Sequence, residues 1–296
     1  MKELVVISGK GGTGKTSIVA AFAALANNAV LADCDVDAAD LHLVLGPKVM
    51  QTHDFSGGKR AAIVTEKCIG CGTCRDMCRF DAIHFNGDRN DVDDKTFTID
   101  PVSCEGCKVC VAFCPADAIE FNDHINGQWF VSDTRFGPMV HAKLGIAEEN
   151  SGKLVTVIRK EAKRIADEEK KNLLIVDGSP GIGCPVIASI AGADLVLIIT
   201  EPTLSGKHDL GRVADLAAGF KIPALVCINK CDLNPDMAKQ VEEDACSRNI
   251  KVVGKIRYDE AFTKAQILKS TVIEYTGGAV SKDVKALWRN VTYALG

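Results

Sequence analysis

The sequence predicts an α/β fold in which a mostly parallel sheet is flanked by helices and interrupted by a small α+β insert. Two observations predict it. Short apolar runs alternate with longer amphipathic segments over most of the chain, which is the order of elements expected of βαβ units. Between residues 63 and 122 this alternation stops, and eight of the 13 cysteines are concentrated there.

Five apolar runs predict buried strands, and five longer segments predict helices. The strands are Leu4–Ile7, Val30–Ala32, Leu173–Val176, Leu195–Thr200 and Ala224–Ile228. The helices are Ser17–Ala26, Lys153–Lys171, Lys207–Gly219, Asp236–Arg248 and the terminal Ser281–Leu295. The predicted domains are residues 1–60 and 124–296 for the two parts of the α/β domain, with residues 61–123 as the insert.

Composition narrows the class of protein. The chain has 296 residues, 47% of them hydrophobic and 25% charged, with a net charge of −4. These values exclude disordered and collagen-like chains, and the acidic balance argues against nucleic-acid binding. No apolar run approaches the length of about 18 residues that a membrane helix needs, so no membrane partner is expected. A cytoplasmic location is therefore expected, where cysteines indicate metal or redox chemistry rather than disulfides.

A glycine-rich loop follows the first predicted strand and opens the first predicted helix. It fits the pattern GxxxxGK[ST], in which backbone N–H groups surround phosphate oxygens at a helix N-terminus. Lys15 is expected to reach the β- and γ-phosphates, and the Thr16 hydroxyl to ligate Mg²⁺. The predicted nucleotide-binding residues of this loop are Gly9, Lys10, Gly11, Gly12, Thr13, Gly14, Lys15, Thr16 and Ser17.

The segment GKGGTGKT resembles the deviant Walker A pattern of the ParA/MinD/Mrp class of ATPases, to which nitrogenase iron protein also belongs. The resemblance implies a MinD-like P-loop fold, an ATP-hydrolysing enzyme and ATP with Mg²⁺ as its cofactors. It also implies an ATP-dependent homodimer, in which Lys10 reaches across to the phosphates of the partner subunit and neutralises developing charge. Lys10 and Lys15 are thus candidate catalytic residues.

Polar residues at the ends of three predicted strands extend this resemblance. Asp35 is the candidate catalytic residue that orients or activates the attacking water, and Asp33 is expected to support the Mg²⁺ shell. Asp177 occupies the Walker B position and is expected to hold Mg²⁺ through water. Asn229 stands where the family contacts adenine. The alternative interpretation makes Asp33 and Asp35 helix caps or solvated loop carboxylates, and Asn229 a turn residue.

The insert contains an internal repeat with a constant offset of 36 residues. Each copy reads CxxCxxCxxxC and is followed by an aspartate, an isoleucine, a phenylalanine and an asparagine at matching positions. Zinc sites usually combine two CxxC pairs, so a structural zinc site is the weaker alternative. The pattern is that of bacterial ferredoxins with two 4Fe–4S clusters, in which the fourth cysteine of each run ligates the other cluster.

This pattern assigns Cys68, Cys71, Cys74 and Cys114 to the first 4Fe–4S cluster. It assigns Cys78, Cys104, Cys107 and Cys110 to the second. Pro115 follows the second run as the ferredoxin pattern prefers, whereas Arg79 stands at the matching place in the first. A nearby cation favours the reduced, more negative state of a cluster.

Together the two parts resemble MinD-superfamily ATPases with an inserted ferredoxin domain. The first functional hypothesis couples nucleotide-driven dimerisation to electron transfer through the clusters. Residues 63–122 carry 11 acidic and 6 basic side chains, which favours a basic redox partner. The alternatives are an iron–sulfur carrier or assembly ATPase of the Mrp type, and an ATPase that positions partners as MinD or ParA does.

The roles of two further residues, Cys184 and His141, stay open. Cys184 lies seven residues after Asp177, at the offset of a cluster ligand in nitrogenase iron protein, which makes a bridging cluster a minor hypothesis. For His141 a structural, hydrogen-bonding role is the simpler expectation.

Overall fold

The computed structural model describes residues 1–86, 96–145 and 151–296, and these residues form two compact units. The larger unit comprises Met1–His53, Trp129–Lys143 and Ser151–Gly296. The smaller unit comprises Asp54–Gln128 together with Leu144 and Gly145. The insert boundaries predicted after residues 60 and 123 fall within two long strands, β3 (Lys48–Ile63) and β6 (Ile119–Thr134).

The remaining elements follow the alternation of the sequence. The other strands are β1 (Lys2–Ser8), β2 (Ala29–Asp33), β4 (Ile83–Phe85), β5 (Phe97–Ile99), β7 (Gly137–Leu144), β8 (Leu173–Pro180), β9 (Leu195–Thr200), β10 (Ala224–Asn229) and β11 (Lys251–Ile256). The helices are α1 (Lys15–Leu25), α2 (Leu41–Leu45), α3 (Thr73–Met77), α4 (Val109–Ala112), α5 (Ser151–Glu168), α6 (Cys184–Ile190), α7 (Leu204–Gly219), α8 (Pro235–Ser247), α9 (Ala261–Ile267), α10 (Val272–Tyr275) and α11 (Ala279–Leu295), with a 3-10 turn at Thr65–Lys67.

The main sheet has the strand order β11-β10-β9-β1-β8-β2-β7-β6-β3. From β11 to β7 every neighbouring pair is parallel, so the predicted mostly parallel α/β fold is confirmed. Strand β1 lies between β8 and β9, and six of its seven residues are buried. Because parallel strands share a direction, the carboxyl ends of β1, β2, β8 and β10 meet at one edge of the sheet, where ligands bind in such folds.

The terminal helix α11 packs on the larger unit through an apolar face. Val284, Leu287 and Val291 are buried in the main core, and Trp288 stacks on Phe22 with ring centroids 4.8 Å apart. Gly254 in β11 permits this contact, since a Cβ there would collide with Leu287. Among the described residues, no helix combines the length and apolarity needed to cross a membrane.

The smaller unit repeats its backbone as well as its sequence. Strands β4 and β5 form an antiparallel pair. The N–H of Val64 donates to the carbonyl of Ala118, and 36 residues later the N–H of Asp100 donates to the carbonyl of Ala82. Left-handed backbone recurs at the same offset in three pairs of positions: Gly70 and Gly106, Gly72 and Lys108, and Asp81 and Asp117. The duplicated sequence therefore folds into two copies of one conformation.

His141 gives the larger unit a pH-dependent stability. It lies in β7, 7% exposed, with its Nε2 2.9 Å from the hydroxyl oxygen of Ser132 and its ring stacked on Phe130. Burial, and secondarily the nearby His42, lower the pKa of His141 to about 4. The unfolded chain binds the proton near its ordinary pKa, so the free energy of unfolding should fall as the pH drops from about 6.5 to 4, by about 2 kcal/mol.

Urea titrations followed by tryptophan fluorescence measure this effect, because Trp129 and Trp288 both belong to the larger unit. His141→Gln keeps a hydrogen-bonding group towards Ser132 but cannot take up the proton. Its stability should therefore decline less than that of the wild type between pH 7 and pH 5. An identical decline in both proteins would show that His141 does not carry the effect.

Candidate nucleotide site and cluster cavities

The glycine-rich loop has the backbone that phosphate binding requires. Gly12 and Gly14 adopt left-handed conformations, with φ of 78° and 88°, which side chains other than glycine rarely tolerate. Helix α1 begins at Lys15, and no side chain caps its N-terminus or places an acidic group in its first turn. The first N–H groups of α1 are thus available to an anion.

Lys15 lies buried between two carboxylates from neighbouring strand ends. Its Nζ is 2.5 Å from Oδ1 of Asp177, at β8, and 3.1 Å from Oδ2 of Asp35, just after β2. Burial alone would lower the pKa of Lys15, but the charges of Asp177 and Asp35 outweigh it and raise that pKa. The ammonium therefore stays charged, and the predicted residues Lys15, Asp35 and Asp177 come together in one place.

Asp33 is fully buried beside this group and organises the loop that follows β2. Its Oδ1 accepts the N–H of Asp35 and its Oδ2 accepts the N–H of Leu41, both at 3.2 Å. Burial and the charge of Asp177 raise the pKa of Asp33 well above its ordinary value. The predicted Mg²⁺-supporting role stays a prediction, and the structure adds a positioning role.

Asp177 offers one ligand to a divalent cation. Asp177 and Asp35 pair with Lys15, and Oδ2 of Asp177 is buried without a hydrogen-bond partner in the described part of the chain. A buried carboxylate oxygen of this kind is costly unless a donor or cation satisfies it. Mg²⁺ with its water shell meets that need, and the predicted ligand Thr16 is the next residue after Lys15.

Lys10 makes contacts that the sequence did not predict. Its Nζ is 2.5 Å from Oε1 of Glu201 and 3.0 Å from the hydroxyl oxygen of Ser205. Burial works against ionisation of Glu201, but its hydrogen bonds with Lys10 and Lys230 dominate and lower its pKa. Glu201 directly follows β9, so only the parallel order of strands could reveal that it would meet the loop after β1.

Asn229, the predicted base contact, supports the phosphate loop from the end of β10. Its Nδ2 donates to the carbonyl of Thr13 at 2.8 Å, and a Cβ on Gly14 would collide with this amide. Lys230 adds a second support, since its Nζ donates to the carbonyl of Gly12 at 3.1 Å. The contact between Asn229 and a base stays a prediction.

A cavity of about 590 Å³ lies next to these residues. Its walls come from the start of α1, the ends of β10 and β11, and helix α9. The lining residues are Gly14, Ser17, Asn229, Lys230, Arg257, Tyr258, Asp259, Phe262, Thr263 and Gln266. The six lining residues that follow Lys230 could not be predicted from the sequence. They come after strand β11, and β11 is not among the predicted strands.

In the smaller unit the eight cysteines of the repeat surround two cavities. One is lined by Cys68, Cys71, Cys74 and Cys114. The other is lined by Cys78, Cys104, Cys107 and Cys110. The structure thus groups the cysteines in the two crossed sets that the ferredoxin pattern predicts.

The cavities fit inorganic clusters better than single ions. In residues 1–86, 96–145 and 151–296, no three His, Cys, Asp or Glu side chains converge tightly enough for one metal ion. The cysteines instead stand around apolar space shared with Ile83 and Phe97. Burial raises the pKa of Cys110 to about 11, and a bound metal would favour the thiolate there.

Within each set of four, the cysteine thiols differ in their exposure to solvent. Cys71 and Cys107 are exposed, whereas Cys74 is buried and the rest are half-buried. Cys71 and Cys107 are related by the 36-residue repeat, so each cavity has its exposed cysteine at the same place in the module. Outside the repeat, Cys184 is exposed at the start of α6.

Comparisons with known proteins agree with this architecture. A family model described as a 4Fe-4S dicluster domain matches residues 67–118. The uncharacterized protein MJ0578 of Methanocaldococcus jannaschii is 37% identical over 235 residues, which are 78% of this chain and 79% of that protein. This chain belongs to the family of MJ0578. Its match to the 4Fe–4S dicluster family lies within the insert that interrupts the α/β fold.

Solved structures show the same fold. The Pyrococcus horikoshii septum site-determining protein MinD, complexed with Mg-ADP, aligns with a TM-score of 0.58 at 15% identity, covering 100% of this chain and 97% of that one. A chain of the Aquifex aeolicus MinC:MinD cell division protein complex aligns with a TM-score of 0.59 at 15% identity, covering 99% and 96%. The MinD-like fold predicted from the glycine-rich loop is confirmed.

The two lysines of the loop should differ in their effect on the MinD-like unit without nucleotide. Lys15→Met leaves buried carboxylates unpaired and should cost about 3–5 kcal/mol of unfolding free energy. Lys10→Met breaks a partly exposed ion pair and should cost roughly 1 kcal/mol or less. Urea denaturation followed by tryptophan fluorescence measures both. Equal losses in the two variants would contradict the buried role of Lys15.

Paired cysteine substitutions distinguish crossed from uncrossed ligand sets. Cys78→Ala with Cys104→Ala removes two ligands from one cavity, so about four of about eight irons should remain. Cys104→Ala with Cys114→Ala removes one ligand from each cavity, so both clusters should be lost. Iron analysis and EPR of the reduced protein measure these outcomes. Cys184→Ala is the matched control and should keep all of the iron.

Uncrossed sets would give the opposite pattern, with iron retained only when Cys104 and Cys114 are replaced together. A loss of iron in Cys184→Ala would instead support the bridging-cluster hypothesis.

Proposed function

We propose that this MinD-like protein is a nucleotide-dependent electron-transfer switch that acts as a homodimer. One observation carries the proposal. The same chain holds a buried ion pair at the phosphate loop, between Lys15 and the carboxylates of Asp35 and Asp177, and two cavities lined by four cysteines each. ATP is the triphosphate that the family resemblance implies. The nucleotide site and the cysteine-lined module belong to one chain, so a conformational change at the first can affect the second.

The first step of the proposed switch takes place at Lys15, which is paired with Asp35 and Asp177. Phosphate oxygens in the loop compete with Asp35 and Asp177 for the Lys15 ammonium, which is close to both. Asp177 and Thr16 would hold Mg²⁺, which would supply the positive charge that Asp177 loses when Lys15 turns to the phosphates. The strands that carry the two aspartates would therefore respond to the nucleotide. Asp35 is released towards the attacking water.

Lys10 supplies the step that requires a second copy. In the single chain its ammonium is bound by Glu201 and Ser205. Transfer of Lys10 to the phosphates of a partner subunit places a positive charge where the hydrolytic transition state gains negative charge. The pair with Glu201 is only partly buried, so its loss costs little compared with the new contact.

The dicluster unit provides the redox part. Its 4Fe–4S clusters, when bound, accept and donate single electrons. Six of the eight cysteines lie in a shared apolar cluster, and the exposed Cys71 and Cys107 mark where each cluster would approach solvent. The acidic composition of residues 63–122 favours docking of a basic redox partner.

Cluster reduction potentials test the coupling. We expect them to shift by about 60 mV, a tenfold change for a one-electron couple, when MgATP or a non-hydrolysable analogue is added to the iron-loaded protein. Light scattering on the same samples should show a dimer. Lys15→Ala should lose both responses, and Lys10→Ala should lose the dimer while still binding nucleotide.

Identical potentials with and without nucleotide would contradict the coupling and leave only an ATPase that carries clusters. Rapid transfer of iron and sulfide to an apo-ferredoxin acceptor would favour the carrier function instead.

A further inference from the structure

The phosphate loop contacts only the phosphates of a nucleotide, so specificity for the base depends on the cavity beside it. Its walls include Gly14 and Ser17 at the start of α1, and the ends of β10 and β11. A nucleotide whose phosphates occupy the glycine-rich loop therefore places its base in this cavity. The polar groups at these two strand ends decide which base fits.

Asn229 favours a purine without distinguishing between the two. Its Oδ1 accepts the N–H of Lys230 at 3.0 Å, and one Nδ2 hydrogen goes to the carbonyl of Thr13 at 2.8 Å. A carboxamide nitrogen carries two hydrogens, so one remains for the cavity. Both adenine and guanine offer N7 as its acceptor.

The loop after Asn229 turns back towards β11. Lys230 has a left-handed φ of 54°, and its carbonyl accepts the N–H of Leu233 at 3.1 Å. The N–H of Cys231 donates to the carbonyl of Ile256 at 2.9 Å. These bonds bring Asp232 to the end of β11, where its Oδ1 accepts the N–H of the cavity residue Tyr258 at 2.6 Å.

The fixed carboxylate of Asp232 has spare acceptor capacity. A carboxylate accepts about four hydrogen bonds, and within the described ranges only the Tyr258 amide donates to it. The nearby Arg257 does not neutralise it through a direct bond, since its guanidinium is committed to both oxygens of Asp283. Asp232 is thus free to accept from a ligand.

We propose that this cavity binds guanine nucleotides in preference to adenine nucleotides, with Asp232 reading the base. Guanine presents two adjacent donors, N1–H and the 2-amino group, which match the two oxygens of a carboxylate. Adenine presents the N1 lone pair and a bare C2–H at this edge, so the same carboxylate repels it. GTP, rather than the ATP that the resemblance implies, is then the nucleotide of the proposed switch.

A second acidic residue of the cavity, Asp259, has a different task. Its Oδ1 accepts the N–H of Ala261 at 2.8 Å and its carbonyl accepts the N–H of Phe262, so it organises the start of α9. Asp259 lines the cavity, whereas Asp232 adjoins it through the Tyr258 amide, and the two residues carry the same charge. It is therefore the matched control for a local electrostatic effect.

The first measurement uses the iron-loaded, full-length wild type and needs no variant. Equilibrium binding of GTP, ATP and ITP with Mg²⁺ should give GTP about a tenfold lower Kd than ATP, since an acceptor placed for two donors discriminates against a base that lacks them. ITP keeps N1–H but lacks the 2-amino group, so its Kd should lie between those of GTP and ATP.

Asp232→Asn reverses the hydrogen-bond pattern with little change of shape, and its Oδ1 still accepts from Tyr258. The amide should raise the Kd for GTP by at least about tenfold and lower the Kd for XTP, whose C2 carbonyl accepts the new N–H, by about as much. Asp259→Asn should leave the ratio of the GTP and ATP Kd values unchanged. Tryptophan fluorescence confirms that both variants are folded.

The inference rests on the proposed nucleotide switch, and the outcomes separate the two. A wild type that binds ATP as tightly as GTP, or an Asp232→Asn variant with the wild-type preference, overturns the guanine assignment and leaves the switch intact. Failure to bind any purine triphosphate overturns both. Equal effects of the two aspartate variants would make the preference a general effect of charge.

Discussion

The buried ion pair of Lys15 with Asp35 and Asp177 is the interaction on which the larger unit depends. It joins the start of α1 to the ends of β2 and β8, three elements that are far apart along the chain. Buried charges are tolerated only when they are paired, so the loop after β1 and the two strand ends must be correctly placed together. A ligand that competes for Lys15 therefore acts on all three elements at once.

A second charged group controls the same loop from the other side of β1. Glu201, after β9, pairs with Lys10 and also with Lys230, which in turn supports the carbonyl of Gly12. The phosphate loop thus lies between two ion-pair systems, one buried and one partly exposed. The buried pair stabilises the folded loop, whereas the partly exposed pair can exchange its partner at small cost.

The smaller unit is organised on a different principle. Its apolar cluster combines six of the eight repeat cysteines with large side chains such as Ile83 and Phe97. A module of this size buries too little apolar surface to be stable by packing alone, and metal ligation supplies the remainder. The two copies of the repeat exchange hydrogen bonds at related positions, so each half completes the cavity of the other.

Much of the local structure could be predicted from the sequence. The glycine-rich loop, the central strands and the two cysteine runs depend on short-range patterns: conformations that only glycine adopts readily, continuous apolar runs, and ligand spacing. The partners of Lys10 could not be predicted this way, because Glu201 reaches it only through the order of parallel strands. Only two of the six residues of strand β11 are buried. The strand therefore has no continuous apolar run, and the cavity beside it could not be predicted from the sequence.

The phosphate loop and the two sets of four cysteines can be recognised from the sequence alone, because each depends on spacing along one stretch of chain. Which charged side chains pair with each other follows only from the tertiary structure. Asn229, predicted from its strand end, has its amide already committed to the loop, and Asp232 is placed beside the cavity by a turn and one backbone hydrogen bond. Such contacts depend on where neighbouring strands end in space, and no local pattern records that.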